Sequence, residues 1–107
     1  MKVYLAGPMR GIEDFNRPLF NEAAATLRGL GHEVFNPAEL EWEGEDTFSK
    51  ELDYICREAE VIALLPGWET SLGARAEVAV ARALERLVEI VRPEEWWCSR
   101  VAAQERR

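Results

Sequence analysis

Glu77 is the residue whose type and setting most suggest chemistry. It ends the stretch Leu65-Pro66-Gly67-Trp68-Glu69-Thr70-Ser71-Leu72-Gly73-Ala74-Arg75-Ala76-Glu77, which leaves a short apolar segment, turns at Pro-Gly and enters an alanine-rich helical segment. Helical spacing predicts one face of Gly73, Glu77, Val80 and Leu84, with Arg75, Arg82, Glu85 and Arg86 on the solvated side. A carboxylate thus falls among small and apolar neighbours about a turn and a half into the helix. Such a group is either a paired interior-edge carboxylate or a working catalytic acid, and the helix alone fits both. Thr70 and Ser71 stand where an N-cap belongs, and neither is followed three residues later by Glu or Gln. Ser71 is then an ordinary cap, or the helix start offers its free N–H groups to an anion.

The elements that must position Glu77 read as alternating strands and helices. Lys2-Val3-Tyr4-Leu5-Ala6 is a buried strand that stops at Gly7-Pro8, and Met9 to Asn16 is a loop at its carboxyl end. Asn16 is placed to cap a helix with Pro18 in its first turn and Phe20, Ala23, Ala24, Leu27 and Leu30 on its apolar face. His32 to Phe35 is a short strand, followed by an acidic loop containing Trp42 that is long enough to cover something. Phe48, Leu52, Ile55 and Ala59 mark a second helix, with Asp53 beside its stripe and Asp46 or Thr47 near its cap. Val61–Leu65, Ser71–Arg86 and Leu87–Val91 supply strand, helix and strand.

This order implies right-handed βαβ units in a three-layer, Rossmann-like or flavodoxin-like sandwich. Its parallel sheet has four or five strands, with helices on both faces. The site is expected at the carboxyl ends of strands one and three, where the Gly7 and Gly67 loops meet. Residues 1–92 form the α/β domain, and 93–107 form a helical extension opened by Pro93 and packed on the same domain, with Trp96 and Trp97 on it as structural residues suited to a subunit contact.

Bulk properties remove several function classes. A net charge of −7 with no basic stripe argues against binding long nucleic acid. Apolar runs are too short for a membrane span and no cleavable leader is evident, so the expected location is cytoplasmic. A single histidine, His32, and two thiols, Cys56 and Cys98, offer little for a zinc site or a Ser-His-Asp triad, and no metal is expected. The G-x-G-x-x-G dinucleotide fingerprint is absent, and no cofactor is expected.

Tyr4-Leu5-Ala6-Gly7-Pro8-Met9-Arg10-Gly11, followed at this distance by Leu65 to Glu77, resembles the nucleoside 2-deoxyribosyltransferase-like superfamily, over residues 2 to about 90. The resemblance implies that Glu77 attacks the anomeric carbon of a nucleoside or nucleotide, releasing the base and leaving a covalent sugar ester. It further implies that Tyr4 holds or polarises that carboxylate and that Gly7 admits the sugar or base. Pro8, Met9, Gly67, Trp68 and Gly73 complete the binding loops. Asp53 is the candidate for protonating or orienting the base, with Glu51 the alternative if the register shifts. Ser71 and Arg10 match positions that hold a 5′-phosphate in monophosphate N-glycosidases of the superfamily, whereas Pro8 stands where those have a serine. The implied partner is a small nucleoside or nucleotide, and the implied assembly is a homo-oligomer. A non-catalytic nucleotide-sensing module using the same pocket is the competing reading.

Overall fold

The computed structural model describes residues 1–40 and 47–91. Trp42, Asp46 and the expected extension beyond Pro93 lie outside the described residues. Within them are four strands, β1 (Lys2–Ala6), β2 (Glu33–Phe35), β3 (Val61–Leu64) and β4 (Leu87–Ile90). Three α-helices alternate with them: α1 (Arg17–Gly29), α2 (Thr47–Arg57) and α3 (Leu72–Ala83). All neighbouring strands are parallel, in the order β2-β1-β3-β4.

The strand order reverses direction between β1 and β3. Right-handed crossovers must then put α1 on one face and α2 and α3 on the other. Strand alternation fits this division. Val3 and Leu5 of β1 and Val61 and Ala63 of β3 pack with Phe20, Ala23, Ala24 and Leu27 of α1. Tyr4, Ala6, Ile62 and Leu64 pack with Ile55 of α2 and Ala74, Val78 and Ala81 of α3. The expected α/β sandwich is therefore the observed architecture, with four strands among the described residues.

Several local expectations are corrected. Leu30 lies past the end of α1 and is 53% exposed, so it is no part of the apolar face. The face of α3 that packs inward is Ala74, Glu77, Val78 and Ala81; Gly73 and Val80 are only half-buried, and Leu84 is exposed. Small alanines let α3 approach the sheet, which turns the helix slightly from the spacing read off the larger side chains.

Asn16 does not cap α1 with its side chain. It is the last of three consecutive residues, Asp14, Phe15 and Asn16, with φ between 51° and 60°. Left-handed backbone costs a non-glycine residue of order 1–3 kcal/mol, and the surroundings hold it in place. Asn16 Nδ2 donates to the Pro8 carbonyl at 2.9 Å, Arg17 pairs with Asp14 at 2.9 Å, and the Arg17 guanidinium lies 5.1 Å above the Phe15 ring.

The loops after β1 and β3 touch closely. A Cβ at Gly7 would stand 2.9 Å from the Leu65 Cβ, and Gly67 adopts φ +85° with Pro8 against it. The first contact involves an atom fixed to the backbone, so Gly7→Ala should destabilise the fold by about 1–3 kcal/mol through overpacking. Urea unfolding measures this, and an unchanged midpoint would show that the two loops can separate freely.

Candidate active site

A cavity of about 600 Å³ opens at the carboxyl ends of β1 and β3. That is where a doubly wound sheet places its crevice. Its walls come from β1 and the loop behind it (Tyr4 to Arg10), from Phe20 and Pro37, from the start of α2 (Thr47, Phe48, Glu51) and from the start of α3 (Thr70 to Glu77). Arg28 steadies one wall by gripping both carboxylate oxygens of Glu39 at 2.8 Å and the Val34 carbonyl at 3.0 Å, which ties α1 to the Pro37 turn.

Three buried polar side chains meet in the cavity. Tyr4, Glu51 and Glu77 are 1%, 7% and 4% exposed. β1 points Tyr4 at α3, where its hydroxyl donates to Glu77 Oε2 at 2.5 Å. Glu51, from α2, lines the same cavity and bears electrostatically on both. Desolvation opposes ionisation of Glu77 most strongly, the Tyr4 bond works against that, and Glu51 adds like-charge repulsion; the result is pushed up to about 9. Glu51 is raised too, chiefly by burial, although bonds from Glu77 and Tyr4 offset part of it. Tyr4 is driven well above the ordinary phenol range by burial and then by the two carboxylates, so it stays a donor. Two neighbouring buried carboxyls cannot both ionise cheaply, so the pair favours keeping one proton at neutral pH.

The structure gathers most of the sequence-derived residues at this cavity. Tyr4, Gly7, Pro8, Met9, Arg10, Ser71, Gly73 and Glu77 line it; Gly67, Trp68 and Asp53 do not. Gly67 instead makes the left-handed turn beneath Pro8, and Trp68 packs half-buried against the α2 and α3 side of the core. Asp53 is corrected on geometry: its carboxylate is exposed and bonded to Arg57 at 2.7 Å, one turn along the outer face of α2. Glu51 takes the inward position. The signal was available in the spacing, because Glu51 is four residues before the fully buried Ile55, whereas Asp53 is two before it.

Ser71 is a helix cap. Its Oγ accepts from the Ala74 N–H at 3.1 Å. The N–H groups of Leu72 and Gly73 have no protein acceptor among the described residues, and both residues line the cavity. Arg10 is exposed at the mouth and forms no ion pair among the described residues. Sequence reasoning did not single out Phe20, Pro37, Phe48 or Leu72 as cavity walls, because apolar residues carry no signal that separates a core from a pocket lining. No cluster of three or more metal-ligating side chains occurs among the described residues.

Comparison with curated proteins finds no match. Among solved structures, a 2-desoxiribosyltransferase from Leishmania mexicana superposes with a TM-score of 0.67 at 21% identity, over 84% of this chain and 63% of that one. The chain therefore spans less than two thirds of that protein's length. The likeness shows that the two share a nucleoside deoxyribosyltransferase-like fold. No helix among the described residues is long and apolar enough to cross a membrane. A family model matches residues 1–90, from the start of β1 to the end of β4, and the chain belongs to the family it describes, Domain of unknown function (DUF4406).

Proposed function

We propose that the protein cleaves the N-glycosidic bond of a nucleoside or nucleoside 5′-monophosphate through a covalent Glu77–sugar ester. The observation that carries this is the buried Tyr4–Glu77–Glu51 group in the cavity. The fold shared with a 2-desoxiribosyltransferase supports it.

In the reactive form Glu77 is ionised and accepts from Tyr4, and Glu51 carries the shared proton. The Glu77 carboxylate attacks the anomeric carbon; the C–N bond breaks, its electron pair leaves with the base, and Glu51 supplies the proton that neutralises it. Water or a second base then attacks the same carbon, the ester C–O bond breaks, and Glu51 recovers a proton from the incoming group.

Arg10 and the first N–H groups of α3 are the donors proposed to hold a 5′-phosphate. A homo-oligomer belongs to the same reading: Leu72, 81% exposed at the cavity mouth, and Phe48, 39% exposed, leave an apolar rim that a second copy would cover. A strictly monomeric mass at micromolar concentration would remove that part.

The decisive assay is release of free base from a panel of nucleosides and 5′-monophosphates, with Glu77→Ala beside the wild type. Release should fall by at least about 10³-fold in the variant, on the scale expected when a covalent group is lost. No release from any compound, with a nucleotide still raising the melting temperature, would turn the reading to a sensing module.

Glu51→Gln should lower kcat by roughly 10²-fold or more, as loss of a general acid does, while Asp53→Asn leaves it unchanged. Equal losses would return the role to Asp53. Arg10→Ala should raise KM for a monophosphate about tenfold, in line with one charge-assisted hydrogen bond, and leave nucleoside turnover as it was.

The shared proton also links pH to stability. Glu77 binds its proton more tightly folded than unfolded, so this contribution is fully present below about pH 4.5 and is lost as pH rises toward about 9. Stability should fall across that window by at most about 1.4 kcal/mol per pH unit. Glu77→Gln should flatten the slope, as read by urea unfolding at pH 5 and pH 8; an equal slope in the variant would place the proton elsewhere.

A further inference from the structure

Tyr4 has two ends that need holding, and the Glu77 carboxylate holds only one. Its ring lies in a triangle with Phe35 of β2 and Tyr54 of α2. Centroid distances are 5.4 Å from Tyr4 to Phe35, 4.7 Å from Phe35 to Tyr54 and 6.4 Å from Tyr4 to Tyr54, with tilts of 34° to 40°. Tilted rings at these distances attract beyond simple burial. Tyr4 and Phe35 are also direct register partners across β1 and β2, so the strand pairing itself sets the two rings side by side.

The rest of that side of the core is dense in alanine, with Ala6, Ala59, Ala74 and Ala81. Bulk beside the Tyr4 ring comes from these two aromatic neighbours and, on the β3 side, from its register partner Ile62. Tyr54 is anchored in turn, its hydroxyl reaching Glu33 of β2 at 3.5 Å. It also sits three residues after Glu51 on α2. One helix thus carries both the second carboxyl and part of the ring support.

We propose that Phe35, backed by Tyr54, is a positioning residue that holds the Tyr4 hydroxyl on Glu77. Without the Phe35 ring, Tyr4 can rotate into the vacated space, and Glu77 loses its neutral donor while keeping Glu51 as a neighbour. The groups that bear on Glu77 are Tyr4 from β1 and Glu51 from α2; Tyr54 and Glu33 lie around the ring triangle, and Arg10 lines the mouth. The catalytic meaning rests on the reading of Glu77 as the attacking group. The test does not, since it is read on the ligand-free chain.

The experiment is a carbon-13 NMR titration of the glutamate carboxyls in the wild type, Tyr4→Phe, Phe35→Leu and the double variant, with circular dichroism to follow folding at each pH. Removal of the Tyr4 donor raises the titration of the carboxyl pair, by about one pH unit for a hydrogen bond to a charged group. Phe35→Leu should move it in the same direction, the double variant should move it no further than Tyr4→Phe alone, and Phe35→Tyr should keep the wild-type curve. A wild-type titration in Phe35→Leu, or shifts that add in the double variant, would overturn the proposal. If Phe35→Leu does not fold, Tyr54→Leu reads the same support from α2, with the same two outcomes. Failure of base release in the assay above would sink the glycosidic reading and leave this titration as it stands.

Discussion

A carboxylate buried to 4% exposure must be given a partner or kept protonated, and the bond from the Tyr4 hydroxyl to Glu77 is how this chain meets that constraint. Much else follows from it. Tyr4 must be on a central strand to reach inward, and α3 must begin beside the mouth of the crevice for its second turn to lie over that strand. Glu51 must come from the neighbouring helix, because β1 offers no other carboxylate: besides Tyr4, only Lys2 and Ala6 share that face. The cavity is the space left where these three elements diverge at the reversal of strand order.

Holding that space open requires rigid loops on its β1 side. The segment from Gly7 to Asn16 pairs a tight glycine contact against Leu65 with three left-handed residues in a row. The Asn16 amide on the Pro8 carbonyl joins the two, so backbone strain at the start of α1 is balanced by a bond to the cavity wall. A loop fastened in this way presents Met9 and Arg10 without help from regular secondary structure.

Much of this was legible in the sequence, for physical reasons that differ by element. β3 is short and wholly apolar and β1 nearly so after Lys2, the pattern of strands covered on both faces, and parallel pairing follows from the helices between them. Glu77 was visible because a charge on an apolar helical face is rare. The second carboxyl was harder: the stripe of Phe48, Leu52, Ile55 and Ala59 fixes the phase of α2 only loosely, since Phe48 turns out to be exposed and Ile55 is the true centre. Counted back from Ile55, Glu51 is inward and Asp53 points out to Arg57. Ser71 serves two readings at once, since its hydroxyl oxygen accepts from the helix start while the residue lines the cavity. The aromatic triangle around Tyr4 joins residues 4, 35 and 54, a long-range arrangement that no local spacing encodes.

The alternation along β1 divides labour at the level of single residues. Val3 and Leu5 look toward α1 and serve cohesion, while Tyr4 and Ala6 look toward α2 and α3 and serve the crevice. Because the period is two, displacing β1 by one residue against its neighbours would exchange these sets completely, turning Leu5 toward Glu77 and sending Tyr4 into the hydrocarbon layer under α1. Such a slip would leave a buried acid facing a methyl group and a phenol with no acceptor. The same hydroxyl that steadies the carboxylate therefore acts as a proofreader of strand alignment, since misaligned chains are penalised at the one place where chemistry is proposed to occur.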